Sequence, residues 1–241
     1  MTVLLTKGDR AFRCEPGEEV HTDLGVLEVP DDPEPGQTVE THLGDAFTVR
    51  ALRGPDLFEH LERTGAPMMP PDIGRLVGKT GAQAGDRVLD AGTGTGVLAA
   101  ALGRLGADVL TFEGDADFAD VARENMAVAG VAGRVEVRTG DLLEAVPDLD
   151  GDFDLLTLDT ADAPAAVSHA PDLLVHGGFV AAYSPFVEDA REVNEAARGA
   201  GLSDVETTES IERELDVGER GTRPSTAGVG HTGYLTVARK L

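Results

Sequence analysis

The chain has 241 residues, of which 41% are hydrophobic, so it is long enough to bury a core without help from disulfides. A hydrophobic content of this size argues against an intrinsically disordered chain. The single cysteine, Cys14, cannot form a disulfide within the chain and belongs to no cysteine cluster that could hold a metal. We therefore expect an ordered, metal-free domain with a small appendage, in a reducing compartment.

The sequence contains no signal for membrane insertion or export. No apolar run approaches the roughly 20 residues that a membrane span needs. The N-terminal segment MTVLLTKGDRAFRCEPG has neither the basic region nor the long apolar stretch of a signal peptide. We expect a soluble, cytoplasmic protein.

The charge balance is strongly acidic: 44 acidic and 20 basic residues give a net charge of −24, and only three of the basic residues are lysines. This predicts adaptation to molar salt, where the Debye length falls to about 3 Å. A cationic protein partner is the alternative explanation.

A nucleic-acid partner normally needs a basic face on the protein. The segment from Ile211 to Leu241, with five basic and four acidic residues, is the place to look for phosphate contacts.

Short strands broken by turns characterise residues 1–52, and the predicted strands are VLLTK, GVLEV, TVETHL and AFTVRAL. They predict a small N-terminal β-domain. Residues 53–71 predict a short helix followed by a proline-rich connector, which marks a domain boundary. Residues 72–241 would then form the second domain.

Strand and helix patterns alternate after this connector. The predicted strands are RVLDAG, DVLTFE, VEVRTG, FDLLTLD and GGFVAAYS, and the predicted helices cover residues 97–105, 116–129, 163–174 and 187–200. This alternation predicts an α/β fold, with a mostly parallel sheet covered by helices on both faces. Two strand-like runs without a helix between them, DVETTESIEREL and HTGYLTVARK, predict an antiparallel hairpin at one edge of the sheet.

A glycine-rich loop, DAGTGTG over residues 90–96, joins the first predicted strand of this sheet to its helix. Glycines there permit a tight turn and close approach of the backbone to a ligand. The next strand ends in Glu113, whose carboxylate can accept two ribose hydroxyls. A dinucleotide-binding loop would have Gly or Ala three positions after Gly94, where this chain has Val97. The sequence therefore favours a methyltransferase over a dehydrogenase.

The third strand ends near Asp141, whose carboxylate can accept a hydrogen bond from an adenine amino group. Each acidic residue has an alternative role: Asp90 as an anchor of the loop, Glu113 as an exposed strand end, Asp117 as a solvated first-turn acid and Asp141 as a helix cap. The predicted cofactor-binding residues are Asp90, Gly92, Gly94, Thr95, Gly96, Val97, Leu98, Glu113, Asp117, Asp141, Leu142 and Asp159.

Four segments together resemble one family: THLGDAFTV, GAPMMPPD, RVLDAGTGTGVL with TFEGD, and RPSTAGVGHTGYLTVARK. The sequence is similar to the tRNA adenine-N1 methyltransferases that modify the T-loop. DAGTGTG alone is common to many methyltransferases, whereas the pairing of the TH-G motif with GHTGYL is more selective. The resemblance implies a class I, Rossmann-like S-adenosylmethionine (SAM) dependent methyltransferase domain, with a seven-stranded sheet, preceded by a small β-domain.

The same resemblance implies a homotetramer that binds tRNA and methylates adenine 58, and in archaeal members often adenine 57 as well. With the acid excess, it indicates a haloarchaeal member. It also implies that the catalytic residue is Asp159, in LTLDTADAP at the end of the fourth strand. That position lies on the same rim as the glycine loop. A helix N-cap is the alternative role for this aspartate, although Asp162 is better placed for it.

The chain departs from the family at Met69, where many members have an aromatic residue that packs on the cofactor or base; methionine still supplies a polarizable apolar surface. We interpret His42 and His231, which lie in the family motifs, as structural residues.

Two other functions stay open at this point. One is a class I methyltransferase that acts on a protein or a small molecule. The other is a non-catalytic, tRNA-binding subunit of a methyltransferase complex, against which the intact glycine loop with Glu113 and Asp159 argues.

Overall fold

A computed structural model describes residues 2–228 and 230–241 of the chain. The N-terminal part consists of the strands β1 (Val3–Lys7), β2 (Arg10–Cys14), β3 (Glu19–Thr22), β4 (Gly25–Glu28), β5 (Thr38–Glu40) and β6 (Ala46–Ala51). An antiparallel sheet has the order β2-β1-β6-β5, and β3 with β4 forms a separate hairpin. Apolar side chains from these strands, including Leu5 and Phe47, form a core of their own.

Two of these strands, β2 and β3, are not among the predicted elements. Their sequences, RAFRC and EVHT, carry mostly charged and polar side chains, and their residues are largely exposed or half-buried. An exposed strand of this kind is held by its backbone pairing, which leaves little hydrophobic pattern to detect.

Two helices, α1 (Gly54–His60) and α2 (Pro70–Thr80), connect the N-terminal part to the main sheet. The short helix α1 was predicted, whereas α2 was not. Proline fits the first turn of a helix because its missing N–H has no intrahelical partner there. In the sequence, Pro70, Pro71 and the two glycines inside α2 suggest a connector, yet burial of Ile73 and Leu76 makes this segment helical.

The elements that follow are β7 (Arg87–Ala91), α3 (Val97–Leu105), β8 (Asp108–Glu113), α4 (Ala116–Val128), β9 (Val135–Thr139), α5 (Leu142–Ala145), β10 (Phe153–Leu158), α6 (Ala163–Val167), α7 (Ala170–Leu173), β11 (Leu174–Ser184), α8 (Val187–Gly199), β12 (Ser203–Glu212), β13 (Leu215–Gly218), β14 (Gly221–Pro224) and β15 (Gly230–Arg239). Seven of these strands form the main sheet, in the order β12-β15-β11-β10-β7-β8-β9.

The predicted α/β fold is confirmed. Strands β7 to β11 of the sheet pair in parallel, and β15 pairs antiparallel with both β11 and β12, as the predicted edge hairpin requires. A further hairpin, β13 with β14, extends from that edge and was not predicted.

The single helix predicted for residues 163–174 is wrong. The structure has two short helices, α6 and α7, and Leu174 already begins the long strand β11. Alanines give this segment a helical pattern, but Ser168 and His169 form a turn, and Pro171 lies in the first turn of α7.

The strand order reverses between β7 and β10, which lie side by side and continue to different edges of the sheet. In open α/β sheets, ligands bind at the carboxyl ends of strands at such a reversal. The glycine-rich loop follows β7 and Asp159 follows β10, so the topology brings both to this point. None of the helices in the described part of the chain is long and apolar enough to cross a membrane.

Candidate active site

The glycine-rich loop packs closely against the end of β10. Gly92 has φ +85°, and a Cβ atom there would lie 2.0 Å from the carbonyl oxygen of Asp159. Gly96 has φ +82°, and its Cβ would lie 2.5 Å from Cε of Met126. Both positions favour glycine because of their positive φ, and at Gly92 a side chain would also collide with the backbone at the end of β10.

Asp90 lies beneath this loop and is 2% exposed. Its carboxylate accepts hydrogen bonds from the hydroxyl of Thr111, at 2.6 Å, and from that of Thr157. The Thr93 hydroxyl lies 2.5 Å from that of Thr111, which extends this buried network into the loop. Burial raises the pKa of Asp90. The structure thus places Asp90 where it anchors the loop, and it lines neither of the clefts described next.

A first cleft of about 260 Å³ opens at the ends of β7, β8, β9 and β10. It is lined by Ala91, Gly92, Phe112, Glu113, Gly114, Gly140, Asp141, Leu142, Leu143, Thr160, Asp162 and Ala166. We call it the nucleoside cleft. Four of the predicted cofactor-binding residues lie in it together: Gly92, Glu113, Asp141 and Leu142.

Two carboxylates of the nucleoside cleft are partly engaged by the backbone. Oε2 of Glu113 accepts from the Gly94 amide at 2.8 Å, and Oε1 accepts from the Asp115 amide at 3.1 Å. An ionised carboxylate has about four acceptor sites, so two remain for a pair of hydroxyls. Asp141 caps α5, since its Oδ1 accepts from the Leu143 amide at 2.8 Å. Its alternative role as a helix cap is therefore present in the structure, at a position that also faces the cleft.

Asp117 lies outside both clefts. It is exposed in the first turn of α4, and its amide donates to Oδ1 of Asp115 at 2.9 Å. Asp115, which the sequence analysis did not single out, is the N-cap of this helix.

A second cleft of about 140 Å³ lies between the glycine-rich loop and the proline-rich connector. It is lined by Gly65, Ala66, Pro67, Met68, Gly92, Thr93, Gly94, Thr95, Val97, Leu98 and Asp159. We call it the acceptor cleft. It brings together six of the predicted residues, namely Gly92, Gly94, Thr95, Val97, Leu98 and Asp159, whereas Gly96 lines neither cleft.

Asp159 lines the acceptor cleft. Burial, together with the negative charge of the neighbouring Asp90, raises the pKa of Asp159 to about 7. It is not a helix cap, because Asp162 occupies the N-cap position of α6. The side chain of Asp162 makes no capping hydrogen bond either, although its position was predicted correctly. Asp159 is thus a carboxyl group that titrates near neutral pH.

A buried asparagine clasps the connector onto the glycine-rich loop. Asn125, on α4, is 1% exposed. Its Nδ2 donates to the carbonyl oxygens of Glu62 and Thr95, both at 2.9 Å, and its Oδ1 accepts from the Glu62 amide at 3.0 Å. The Thr64 amide donates to the hydroxyl of Thr95 at 3.2 Å. These contacts fasten residues 62–64 to Thr95, which lines the acceptor cleft, and nothing in the sequence identified them.

A second group of residues missed by the sequence analysis lies beside Asp159. Leu158 pairs with Ala182, so Tyr183 is level with Asp159 on the neighbouring strand. The Tyr183 hydroxyl donates to the Thr232 carbonyl oxygen. Burial, with the charges of Asp72 and Asp159, raises the pKa of Tyr183 to about 12, so the hydroxyl keeps its proton.

The GHTGYL motif is explained by this contact. A Cβ atom on Gly233 would lie 2.4 Å from the Tyr183 ring, so the ring can approach β15 only over a glycine. Nearby, buried Asp72 of α2 accepts from the Ser210 hydroxyl at 2.7 Å, which ties the connector side of the site to β12.

The two histidines of the family motifs make structural contacts. Nδ1 of His42 accepts from the Val26 amide at 2.9 Å, which fastens the THLGD segment to β4. Nδ1 of His231 lies 3.0 Å from Oε1 of Glu209, and its ring packs on Tyr234 at 5.0 Å. Met69 precedes α2, is 38% exposed and lines neither cleft, whereas its neighbour Met68 lines the acceptor cleft.

The two clefts meet at Gly92 and suit the two halves of SAM. The nucleoside cleft offers carboxylate acceptors for hydroxyl and amino donors, and the space beside Gly140 is open, since a Cβ there would meet no atom within 4 Å. The acceptor cleft offers apolar surface from Met68, Val97 and Leu98, together with Asp159. The donor set therefore fits an adenosine joined to a short polar chain.

Comparison with known proteins agrees with this geometry. Residues 58–222 match the family model described as "tRNA methyltransferase complex GCD14 subunit". The tRNA (adenine(57)-N(1)/adenine(58)-N(1))-methyltransferase TrmI of Methanocaldococcus jannaschii is 31% identical, over 97% of this chain and 92% of the relative.

Two solved structures resemble the whole chain. A SAM-dependent O-methyltransferase from Thermotoga maritima superposes with a TM-score of 0.82 at 26% identity, covering 100% of this chain and 92% of that protein. The tRNA (m1A58) methyltransferase TrmI of Aquifex aeolicus superposes with a TM-score of 0.76 at 24% identity, covering 100% and 97%. These superpositions confirm the predicted class I methyltransferase fold. With the family match and the full-length archaeal relative, they show that the chain belongs to the TrmI-type family of SAM-dependent tRNA methyltransferases.

Proposed function

We propose that the protein transfers a methyl group from SAM to N1 of adenine in the T-loop of tRNA, at position 58, with the neighbouring adenine 57 as a second candidate position. The observation that carries this proposal is the carboxyl group of Asp159 in the acceptor cleft, directly beside the glycine-rich loop. The full-length match to a relative named for adenines 57 and 58 supports the choice of substrate.

The chemistry asks the protein mainly to position its substrates. N1 of adenine has an in-plane lone pair, so no base has to remove a proton before it attacks. SAM supplies an electrophilic methyl group on a sulfonium. Holding the methyl group of SAM in line with N1 can remove a large part of the activation barrier. The loop, fixed from below by Asp90 and from the side by Asn125, is the part of this chain that holds the methyl donor in place.

Asp159 acts on the charge that appears on the adenine ring. We infer that its carboxylate accepts a hydrogen bond from the adenine amino group and faces the ring as the ring becomes positive. A fixed charge aimed at such a developing charge stabilises the transition state more than the ground state. Since the pKa of Asp159 is raised to about 7, the ionised form that this role needs predominates only above neutral pH.

The remaining site residues follow from their positions. Glu113 binds the ribose hydroxyls and Asp141 the adenine amino group of the cofactor, with Leu142 against its ring. Gly92, Gly94, Thr95, Gly96, Val97 and Leu98 surround the methionine end. Asp90, which lines neither cleft, acts through the loop that it anchors, whereas Asp117 is exposed outside both clefts and has no part in this proposal. Because N1 is on the pairing edge, the target base has to leave its stack to reach Asp159 and the methyl donor, at a cost of a few kcal/mol.

We further propose residues 1–52 as a small β-domain, residues 53–71 as the connector and residues 72–241 as the catalytic domain, in a cytoplasmic homotetramer of a salt-adapted, haloarchaeal cell. The β13–β14 hairpin supports an assembly, because one face presents Leu215, 60% exposed, and Val217, 79% exposed. On the opposite face Asp216 pairs with Arg223 at 3.5 Å. A mass of four chains by light scattering supports the tetramer, and a monomer in molar salt contradicts it.

The test of the proposed function is methyl transfer from labelled SAM to unmodified tRNA, compared with protein and small-molecule fractions from the same cells. Transfer to tRNA that is lost when adenines 57 and 58 are replaced by guanine supports the proposal. Transfer to protein or to small molecules instead supports the rival methyltransferase function, to which the T. maritima O-methyltransferase likeness would point. Absence of SAM binding by calorimetry would support a non-catalytic subunit.

A further inference from the structure

Two phenylalanine rings remain exposed in a chain that is poor in aromatic residues. The sequence has eight phenylalanines, two tyrosines and no tryptophan. Phe186 is 64% exposed and Phe118 is 38% exposed, whereas the other six phenylalanines are buried or half-buried. Phe118 lies in the first turn of α4, after β8, and Phe186 lies just after β11. Both exposed rings are therefore at the rim of the sheet that carries the two clefts.

Phe186 lies close to the mouth of the acceptor cleft. Strands β10 and β11 are parallel and Leu158 pairs with Ala182, so Asp159 is level with Tyr183. Phe186 comes three residues later, no more than about 11 Å beyond that level at the rise of an extended chain. It does not line the acceptor cleft itself.

The backbone conformation at Phe186 fixes the position from which its side chain extends. The residue is extended, with φ −115° and ψ 144°, and its carbonyl oxygen accepts from the Ala190 amide at 3.1 Å at the start of α8. The next residue, Val187, is 54% exposed, so the two side chains form an exposed apolar patch at the rim of the sheet. An exposed aromatic ring on a fixed backbone is a suitable platform for a flat, apolar partner.

The charge of the protein determines which kind of tRNA contact can be strong here. A net charge of −24 opposes the approach of a polyanion. Contacts between basic side chains and phosphates also weaken steeply as salt rises. Stacking of an unpaired base on an aromatic ring involves no net charge and tolerates any base. An acidic enzyme that binds tRNA therefore gains most from stacking.

We propose that Phe186 is a positioning residue that stacks on an unpaired base of the tRNA next to the methylated adenine. This inference rests on the proposed function and adds to it the contact that orients the tRNA at the mouth of the acceptor cleft. Stacking outside the acceptor cleft holds the neighbouring nucleotide while the target base lies beside Asp159.

The experiment compares Phe186→Ala, Phe186→Leu and Phe186→Trp in methyl transfer to unmodified tRNA at low and at molar KCl. We expect the Ala and Leu variants to raise KM for tRNA about 5- to 150-fold, the range for loss of one stacked base. We expect kcat, SAM affinity and melting temperature to stay unchanged, and Trp to retain the wild-type KM. The factor lost should be the same at both salt concentrations, because stacking is not a charge contact.

Leu105→Ala is the matched control, because Leu105 is also an exposed apolar side chain, 45% exposed, but ends α3 at the opposite rim of the sheet. It should leave KM for tRNA unchanged. An unchanged KM in Phe186→Ala overturns the inference, and so does a wild-type KM in Phe186→Leu, which would show plain apolar contact. A change in oligomeric state in Phe186→Ala would assign the ring to a subunit contact instead. Failure of the wild type to methylate tRNA is a separate result that overturns the proposed function itself.

Discussion

Glu113 binds the backbone of the glycine-rich loop, and in the proposed function it also binds the ribose of SAM. Its carboxylate accepts from the amides of Gly94 and Asp115 at 2.8 and 3.1 Å. We predict that Glu113→Ala weakens SAM binding, since hydrogen bonds to a charged group contribute about 1.5 to 3 kcal/mol. Isothermal titration calorimetry measures the effect. Asp117→Ala is the control, because that exposed carboxylate lies outside both clefts; equal losses in the two variants would refute the ribose role of Glu113.

The charge of Asp159 is tested by Asp159→Asn, which keeps the shape of the side chain and its ability to accept one hydrogen bond. We predict that the single-turnover rate of methyl transfer falls about a hundred- to thousandfold, from a loss of about 2.7 to 4 kcal/mol. The raised pKa of about 7 adds a pH dependence. The wild-type rate should rise with pH as Asp159 ionises, and the bound sulfonium should move this rise to lower pH. The Asn variant should show no such rise. Full activity of Asp159→Asn would show that its charge is not used.

The same carboxyl group also affects stability. Because burial raises the pKa of Asp159 in the folded state above its usual value of 3.8 to about 7, the folded protein holds a proton that the unfolded chain releases. Stability is therefore lost as pH rises from about 4 to 7, by about 1.4 kcal/mol for each unit of pKa difference. We predict that Asp159→Asn melts at a higher temperature than the wild type at pH 8 and that the gap narrows at pH 5. Equal melting temperatures at pH 8 would contradict the raised pKa.

At the scale of elements, the acceptor cleft depends on how the connector is held. We predict that Asn125→Ala lowers both the melting temperature and the affinity for SAM. It removes three hydrogen bonds and leaves the buried carbonyl group of Thr95 without this partner, at a cost of about 1 to 3 kcal/mol. The control is Asn194→Ala on α8, whose side chain bonds Thr207 at 2.8 Å on the exposed surface. Wild-type SAM affinity in Asn125→Ala would show that these hydrogen bonds do not contribute to the SAM-binding site.

The elements that could be predicted from the sequence are those with strong local patterns. Parallel strands such as DVLTFE are buried apolar runs bounded by turns, and glycines at the end of a strand mark the ligand rim. Contacts between distant residues leave no such pattern. Asn125 meets Glu62 only because α4 packs over the connector, and Tyr183 meets Asp159 only through strand pairing. Helix α2 was missed because its glycines and prolines hide an apolar face that tertiary packing stabilises.

At the scale of the whole molecule, the acid excess should make folding depend on salt. With a net charge of −24, repulsion among surface carboxylates grows as screening is removed. We predict that the melting temperature falls when the protein is dialysed from molar to millimolar KCl. Sucrose is the control, because it stabilises folded proteins by exclusion but does not screen charge. A melting temperature that is the same at both KCl concentrations would contradict salt adaptation.

Methylation of N1 of adenine in the T-loop of tRNA, as proposed above, is tested most directly by a mass-spectrometric map of modified nucleosides. The substrate is an unmodified tRNA after reaction with SAM and the wild-type protein in molar KCl, with Asp159→Asn as the parallel sample. We predict 1-methyladenosine at position 58, alone or together with position 57, and strongly reduced formation by the variant. Methylation at another atom or outside the T-loop, or no methylated nucleoside at all, would contradict it.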